Sequence, residues 1–286
     1  MTEYPTFGVL LARLSFQRQL SPAALSGLAK VSESELQNVF AGAKPSSSLL
    51  LRLAPALNWH DVDLFVLAGM SMPDELAPLD DEAGSWVASL VNQAVGLRPE
   101  LIDRVRRFAW SLPQRSRTRP FLPKPYEQYE QHEPGFGVVL VRMLANRNLN
   151  WQAAAKTLLC LTGLGLSGAT IGQIARGSKE LTPDLLARLA TVLGIPSGDL
   201  AAVTGIDLPE EPPPAHPAAA ELAGLIWDVR RLTTGQVRQV LDEAMSLRQS
   251  DRFRQTPATL TVQCCGQRLD WGSPMDRSGF GGDCSL

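Results

Sequence analysis

The sequence predicts an all-α protein in which one helical unit is written twice. Three observations lead there. Apolar residues recur at three- and four-residue spacings, and turn signals punctuate segments of about eight to fourteen residues. No sustained apolar/polar alternation marks a substantial sheet. Long-period self-similarity is also visible directly: FGVLLARLSFQRQLS from Phe7 matches FGVVLVRMLANRNLN from Phe136, and LLLRLAPALNWHDVDLFVLAGM matches LLARLATVLGIPSGDLAAVTGI. MPDE at Met72 corresponds to LPEE at Leu208.

The first copy sets out its helices in order. Val9, Leu10, Arg13, Leu14 and Phe16 carry the first helical pattern. Ser21-Pro22 opens a second helix with proline at its first position, and Ala24, Leu25 and Leu28 form the stripe expected to face inward. Ser32 reads as the N-cap of ESELQNVF, whose Leu36, Val39 and Phe40 are expected inside and which Gly42 stops. Ser46 to Leu57 gives a fourth helix with Pro55 limiting its last turn, and Asp61 to Leu67 a fifth.

Each copy is followed by two helical patterns joined by a short polar link, SWVASLVNQAVGLRPELIDRVRRFAWSL and AGLIWDVRRLTTGQVRQVLDEAMSL. Such short pairs must bury their apolar faces on the neighbouring unit, on their repeat copy or on another chain. Trp86, Trp110 and Trp227, set among Leu and Val at helical spacing, read as core or partner-groove residues. The Pro-rich RTRPFLPKPYEQYEQHEPG lacks core periodicity, and PEEPPPAHP is a stiff, extended break. The chain therefore divides into a first unit (1–72), a helix pair (73–117), a linker (118–134), a second unit (135–208), a Pro-rich linker (209–217), a second helix pair (218–251) and a tail (252–286). The tail, poor in helical pattern, is expected to be disordered, with TLTVQC a short strand lacking an evident mate.

Composition narrows the function class. A net charge of −2 over 286 residues is not the balance of a uniformly basic nucleic-acid binder, so charge must be read locally. No uninterrupted apolar run reaches membrane-spanning length, and Glu3 stands where a signal peptide would be basic. Four cysteines, Cys160, Cys264, Cys265 and Cys284, form no disulfide framework or zinc spacing. His60, His132 and His216 are scattered in unlike surroundings. A cytoplasmic, reduced protein without metal, cofactor or catalytic set is the expectation, not an enzyme and not bound to a membrane.

Five short helices in this order, with a short turn between the second and third, resemble the Cro/C1-type (XRE family) helix-turn-helix regulators. LSPAALSGLAKVSESELQNVFAGAKPSSSLLLRLAPALN carries the resemblance in the first copy, and LNWQAAAKTLLCLTGLGLSGATIGQIARGSKELTPDLLARLATVLGIP in the second. It covers Phe7 to Met70 and Phe136 to Ile206, about half the chain. It implies two tandem lambda-repressor-like five-helix modules, each followed by a helix pair. It further implies transcription regulation through duplex DNA, the second helix crossing the phosphate backbone and the third entering the major groove. The matching positions are Ser34, Gln37 and Asn38 with Lys44 in the following loop, and Ala169, Thr170 and Gln173 with Arg176 and Lys179. Family members often hold a phosphate-contacting Gln at the first position of the second helix; Pro22 and Trp151 stand there, and Gln152 follows one residue later. Two modules in one chain imitate the dimer by which such proteins address half-sites about 34 Å apart. The helix pairs offer a surface for a homodimer or another protein.

Charge separates the copies. From Phe7 to Met70, five cations face four acids; from Phe136 to Ile206, six cations (Arg142, Arg147, Lys156, Arg176, Lys179, Arg188) face three acids. Electrostatics favours the second copy, and base-reading side chains favour the first. The acids Glu33 and Glu35 at the start of the first copy's third helix support another reading, a helical interaction protein that kept the fold without DNA binding.

One stretch suggests other chemistry. GLGLSG, Gly163 to Gly168, has dinucleotide-cradle spacing and follows the apolar TLLCLT. The repeat places it between the second and third helices, at the position of LAKVSE, in a copy about six residues longer there. The glycines thus end an extended second helix, and TLLCLT belongs to that helix. Asp184 follows Thr182-Pro183 at the start of a fourth helix, not the end of a second parallel strand.

Overall fold

The helix starts are written into short polar side chains. Ser21, Ser32 and Ser46 in the first copy, and Asn150, Ser167 and Thr182 in the second, each accept a backbone N–H three residues on, at 2.9–3.3 Å. Each such cap contributes about 1 kcal/mol. The computed structural model describes residues 4–115, 135–255, 262–264 and 267–269. The expected linker at 118–134, with His132, and most of the tail, with Cys265 and Cys284, lie outside the described residues.

Within them the protein is helical apart from one small hairpin. The first copy comprises α1 (Phe7–Gln17), α2 (Pro22–Ala29), α3 (Glu33–Phe40), α4 (Ser47–Ala56) and α5 (Asp61–Leu67). After a 3₁₀ turn at Asp81–Ala83 come α6 (Gly84–Ala94) and α7 (Pro99–Ser111). The second copy comprises α8 (Phe136–Ala145), α9 (Trp151–Thr162), α10 (Gly168–Ala175), α11 (Pro183–Leu193) and α12 (Ser197–Thr204), followed by α13 (Ala219–Val229) and α14 (Thr234–Gln255). Strands β1 (Val262–Cys264) and β2 (Gln267–Leu269) pair antiparallel. The segment VQC therefore has a mate, and α14 runs into the region expected to be disordered.

The two copies agree in detail. α1 packs on α3 and α8 on α10, at a contact so close that only glycine fits. A Cβ at Gly8 would fall 2.0 Å from the Val39 carbonyl oxygen, and one at Gly137 would fall 2.0 Å from that of Ile174. The turns after α1 and α8 place Gln19 and Asn148 at positive φ of 55° and 59°. Arg52 donates to the Lys30 carbonyl (3.1 Å) and Arg188 to the Thr162 carbonyl, so the same arginine of α4 and α11 closes the C-terminus of the second helix in each copy.

The copies clasp each other crosswise. α1 packs on α12, and α5 packs on α8. Arg18, just past α1, pairs with Asp199 of α12; Arg147, just past α8, pairs with Asp63 of α5 (2.8 Å). These are the same two sequence positions used reciprocally. All five guanidinium N–H groups of Arg147 have acceptors among the Asp63 carboxylate and the carbonyls of Leu193 and Met143. Asp199 also accepts the Trp59 indole N–H at 3.0 Å.

The helix pairs bury their faces on one another. α6 and α7 pack with α13 and α14 as a four-helix bundle, laced by Arg98–Asp251 (2.7 Å), Arg104–Glu243 (3.2 Å) and Arg106–Asp228 (2.7 Å). The bundle sits on the second copy, with α6 along α9 and α13 on α11. On the first copy nothing equivalent covers α2 among the described helix contacts, and this corrects the expected inward stripe. Leu25, Ser26 and Ala29 face in, whereas Ala24 is exposed and Leu28 is 57% exposed. Phe16 (87%) and Trp110 (55%) are also exposed, the latter beneath the Arg106 guanidinium. Trp227 stacks on His60 with ring centroids 3.3 Å apart, tying the bundle to the first copy. No helix among the described residues is long and apolar enough to cross a membrane.

Candidate nucleic-acid interface

α3 presents two unlike sides because its apolar residues fall three apart. Leu36 and Val39 are buried against α1 and α2, which leaves Ser34, Gln37 and Asn38 exposed together on the outer face. The Ser34 hydroxyl donates back to Ser32 Oγ at 3.2 Å, a local bond within the helix cap that leaves its oxygen able to accept. Lys44 is exposed in the loop that follows. Glu33 is also exposed and Glu35 half-buried in the first turn, where they favour the helix dipole but oppose an approaching phosphate.

α10 repeats this plan with different side chains. Ile171, Ile174 and Ala175 face α8 and α9, while Ala169, Gln173 and Arg176 share an exposed stripe. Ala169, Gly172 and Gln173 stand where α3 has Ser34, Gln37 and Asn38, and Lys179 stands where the first copy has Lys44. Lys179 is exposed, and its backbone N–H bonds the Gln173 carbonyl at 3.2 Å. Thr170 is only half-buried in place of exposed, with its hydroxyl 3.0 Å from Ser167 Oγ, so it acts in the helix cap.

Trp151 organises this second face. Its ring lies on Gly172, where a Cβ would come within 2.7 Å of it, and the Arg176 guanidinium sits 5.7 Å from the ring centroid. Gln152 is exposed beside the start of α10, its Cγ 3.1 Å from where a Gly168 Cβ would stand. Gln152, Trp151, Gly168 and Arg176 are therefore brought together. The structure adds Lys156, exposed one turn beyond Gln152 on the same face of α9. The spacing of four from Gln152 was the available signal for it. α6 runs along the opposite side, with Gly84 against Asn148 and Asn150 and with Asn92 3.8 Å from Cys160 Sγ, so it leaves Gln152 and Lys156 open.

The charge comparison changes once burial is known. Arg147 is 1% exposed and committed to Asp63, and Arg188 is held by Asp184 (2.9 Å) and the Thr162 carbonyl. Arg18 is likewise turned inward to Asp199. The exposed cations around the third helix of the second copy are Lys156, Arg176 and Lys179, with Glu180 nearby; around that of the first they are Lys30, Lys44 and Arg52, offset by Glu33 and Glu35. The second copy remains the more basic, with its charge gathered beside α10.

The glycine run follows a helix. Gly163 ends α9 in the left-handed conformation (φ 70°), its N–H bonding the Leu159 carbonyl at 3.0 Å, and Ser167 caps α10. Leu164 and Leu166 are half-buried anchors of the turn between them. α9 has twelve residues where α2 has eight, which with the longer turn accounts for the extra length of this copy. Asp184 opens α11 and pairs with Arg188. Among the described residues no cluster of three His, Cys, Asp or Glu side chains is placed to hold a metal. Comparison with protein-family models, with curated proteins and with solved structures finds no match to this chain, so function is argued from this geometry.

Proposed function

We propose that the protein is a transcription regulator that binds duplex DNA, with α3 and α10 entering the major groove. The observation that carries this reading is the repeated placement of the third helix. In both copies it buries its apolar side on the two helices before it and leaves a polar face open, with a lysine at the equivalent loop position (Lys44, Lys179). Gln37, Asn38 and Gln173 carry amides able to pair bidentately with adenine, and Lys44, Arg176 and Lys179 suit phosphate.

The test is selection of bound duplexes from a random pool by the full chain, followed by affinity against salt for the enriched sequence. Retention that falls steeply with salt is expected. Alanine at both Arg176 and Lys179 should weaken binding to all sequences alike and lower the salt slope by about 2, one unit per phosphate contact. A slope unchanged by the double substitution contradicts the assignment of those residues.

A second reading, a helical protein-interaction module without DNA binding, is favoured by Glu33 and Glu35 on α3 and by the exposed Phe16 and Leu28. Absence of duplex retention even at low salt selects it.

A further inference from the structure

Resting on the DNA-binding reading, we propose that one chain occupies a bipartite site alone, and that its two unlike half-sites lie inverted about a common centre. The argument begins with the crosswise clasp. The first helix of each copy packs on the fifth helix of the other, and the same Arg and Asp positions pair in both directions, as Arg18–Asp199 and Arg147–Asp63. Contacts that exchange partners in this way are isologous and arise from a two-fold relation. Copies related by translation, as in a solenoid, would make one of the two contacts and leave the other unmade.

A two-fold operation carries α3 onto α10 at the same height along its axis and with reversed direction across it. If both helices read bases in the same manner, their half-sites must run in opposite directions on the duplex. The surface that joins two subunits in a symmetric dimer is here filled inside the chain, and the buried Arg147–Asp63 pair fixes it. A second chain is therefore not needed to complete the site.

The two readers differ, however. The outer face of α3 offers Ser34, Gln37 and Asn38, whereas α10 offers Ala169 and Gln173, its equivalent of Gln37 being Gly172 beneath Trp151. The preferred site is thus inverted in geometry and asymmetric in sequence. This sets the chain apart from a homodimer, whose identical readers demand a palindrome.

Because unlike half-sites hide their orientation in the sequence, the experiment measures geometry. The full chain, its four natural cysteines replaced by serine, carries Ala43→Cys or Ser178→Cys, two exposed and equivalent loop positions. An iron chelate on that thiol cleaves the selected duplex, and native mass spectrometry counts chains per duplex. One chain per duplex is expected, with the two cleavage patterns mirrored about the site centre. Two chains per duplex, or patterns displaced in the same direction along the duplex, overturn the inference while leaving DNA binding intact. No salt-sensitive binding to any duplex overturns the DNA-binding reading itself, and this inference with it.

Discussion

Asp63→Ala is expected to lower the unfolding free energy by about 3–5 kcal/mol, the cost of stranding a buried charge. Arg147 is 1% exposed and Asp63 0%, and both carboxylate oxygens bond the guanidinium, at 3.0 and 2.8 Å. Removing the carboxylate leaves two N–H groups and a full positive charge without water to receive them. The reciprocal pair provides the internal control. Arg18 retains 22% exposure, so in Asp199→Ala its guanidinium can turn to solvent. That variant should lose less, about 1–3 kcal/mol, chiefly from the Trp59 indole N–H left without its acceptor. Urea titration of the two variants measures the order, and a smaller loss at Asp63 than at Asp199 contradicts this account of the clasp.

Acid should loosen the junction between the first copy and the bundle through His60. Burial against Trp227, reinforced by the Arg147 and Arg230 charges and partly offset by Asp63, pulls its pKa down from 6.5 to about 4. The unfolded chain therefore binds a proton below pH 6.5 that the folded chain refuses until about pH 4. The contribution is whole above pH 6.5 and is lost as pH falls through that window, with stability rising with pH across it. Allowing for the solvent that still reaches the ring, the loss is on the order of 2 kcal/mol. His60→Phe keeps a ring on Trp227 and removes the titration, so its stability should be flatter between pH 6.5 and 4 than that of the parent. Parallel pH curves would show that other groups carry the acid response.

Local signals made most helices legible. Ser32 caps the helix it was expected to cap, Ser21 and Ser46 stand as caps at the helix starts the sequence marked, and Gly163 ends α9 as the repeat required. The repeated Phe-Gly that aligned the two copies turns out to be a physical requirement, since Gly8 and Gly137 let one helix cross another at backbone contact. What sequence could not show was which charges had partners far away along the chain. Arg18 and Arg147 counted as surface cations until folding brought Asp199 and Asp63 to them from the other copy. Tertiary context also decided Leu28. Its helix is uncovered on that side, while Thr157, the equivalent residue in α9, is fully buried where α6 lies alongside. On the third helices, the repeat indicated which side chains lie exposed but not the Trp151 ring that occupies the Gly172 position on α10.

The most direct test of base reading by the third helix is duplex selection with Gln37 and Asn38 both replaced by alanine. Both side chains are exposed and neither contributes to the α3 core, so the fold should be retained. The account predicts that preference is lost over the base pairs beneath α3, by about 1–3 kcal/mol per amide–base pair, while the salt slope and the preference of the other half-site stay as they were. The same full preference in the parent and the double variant would contradict it.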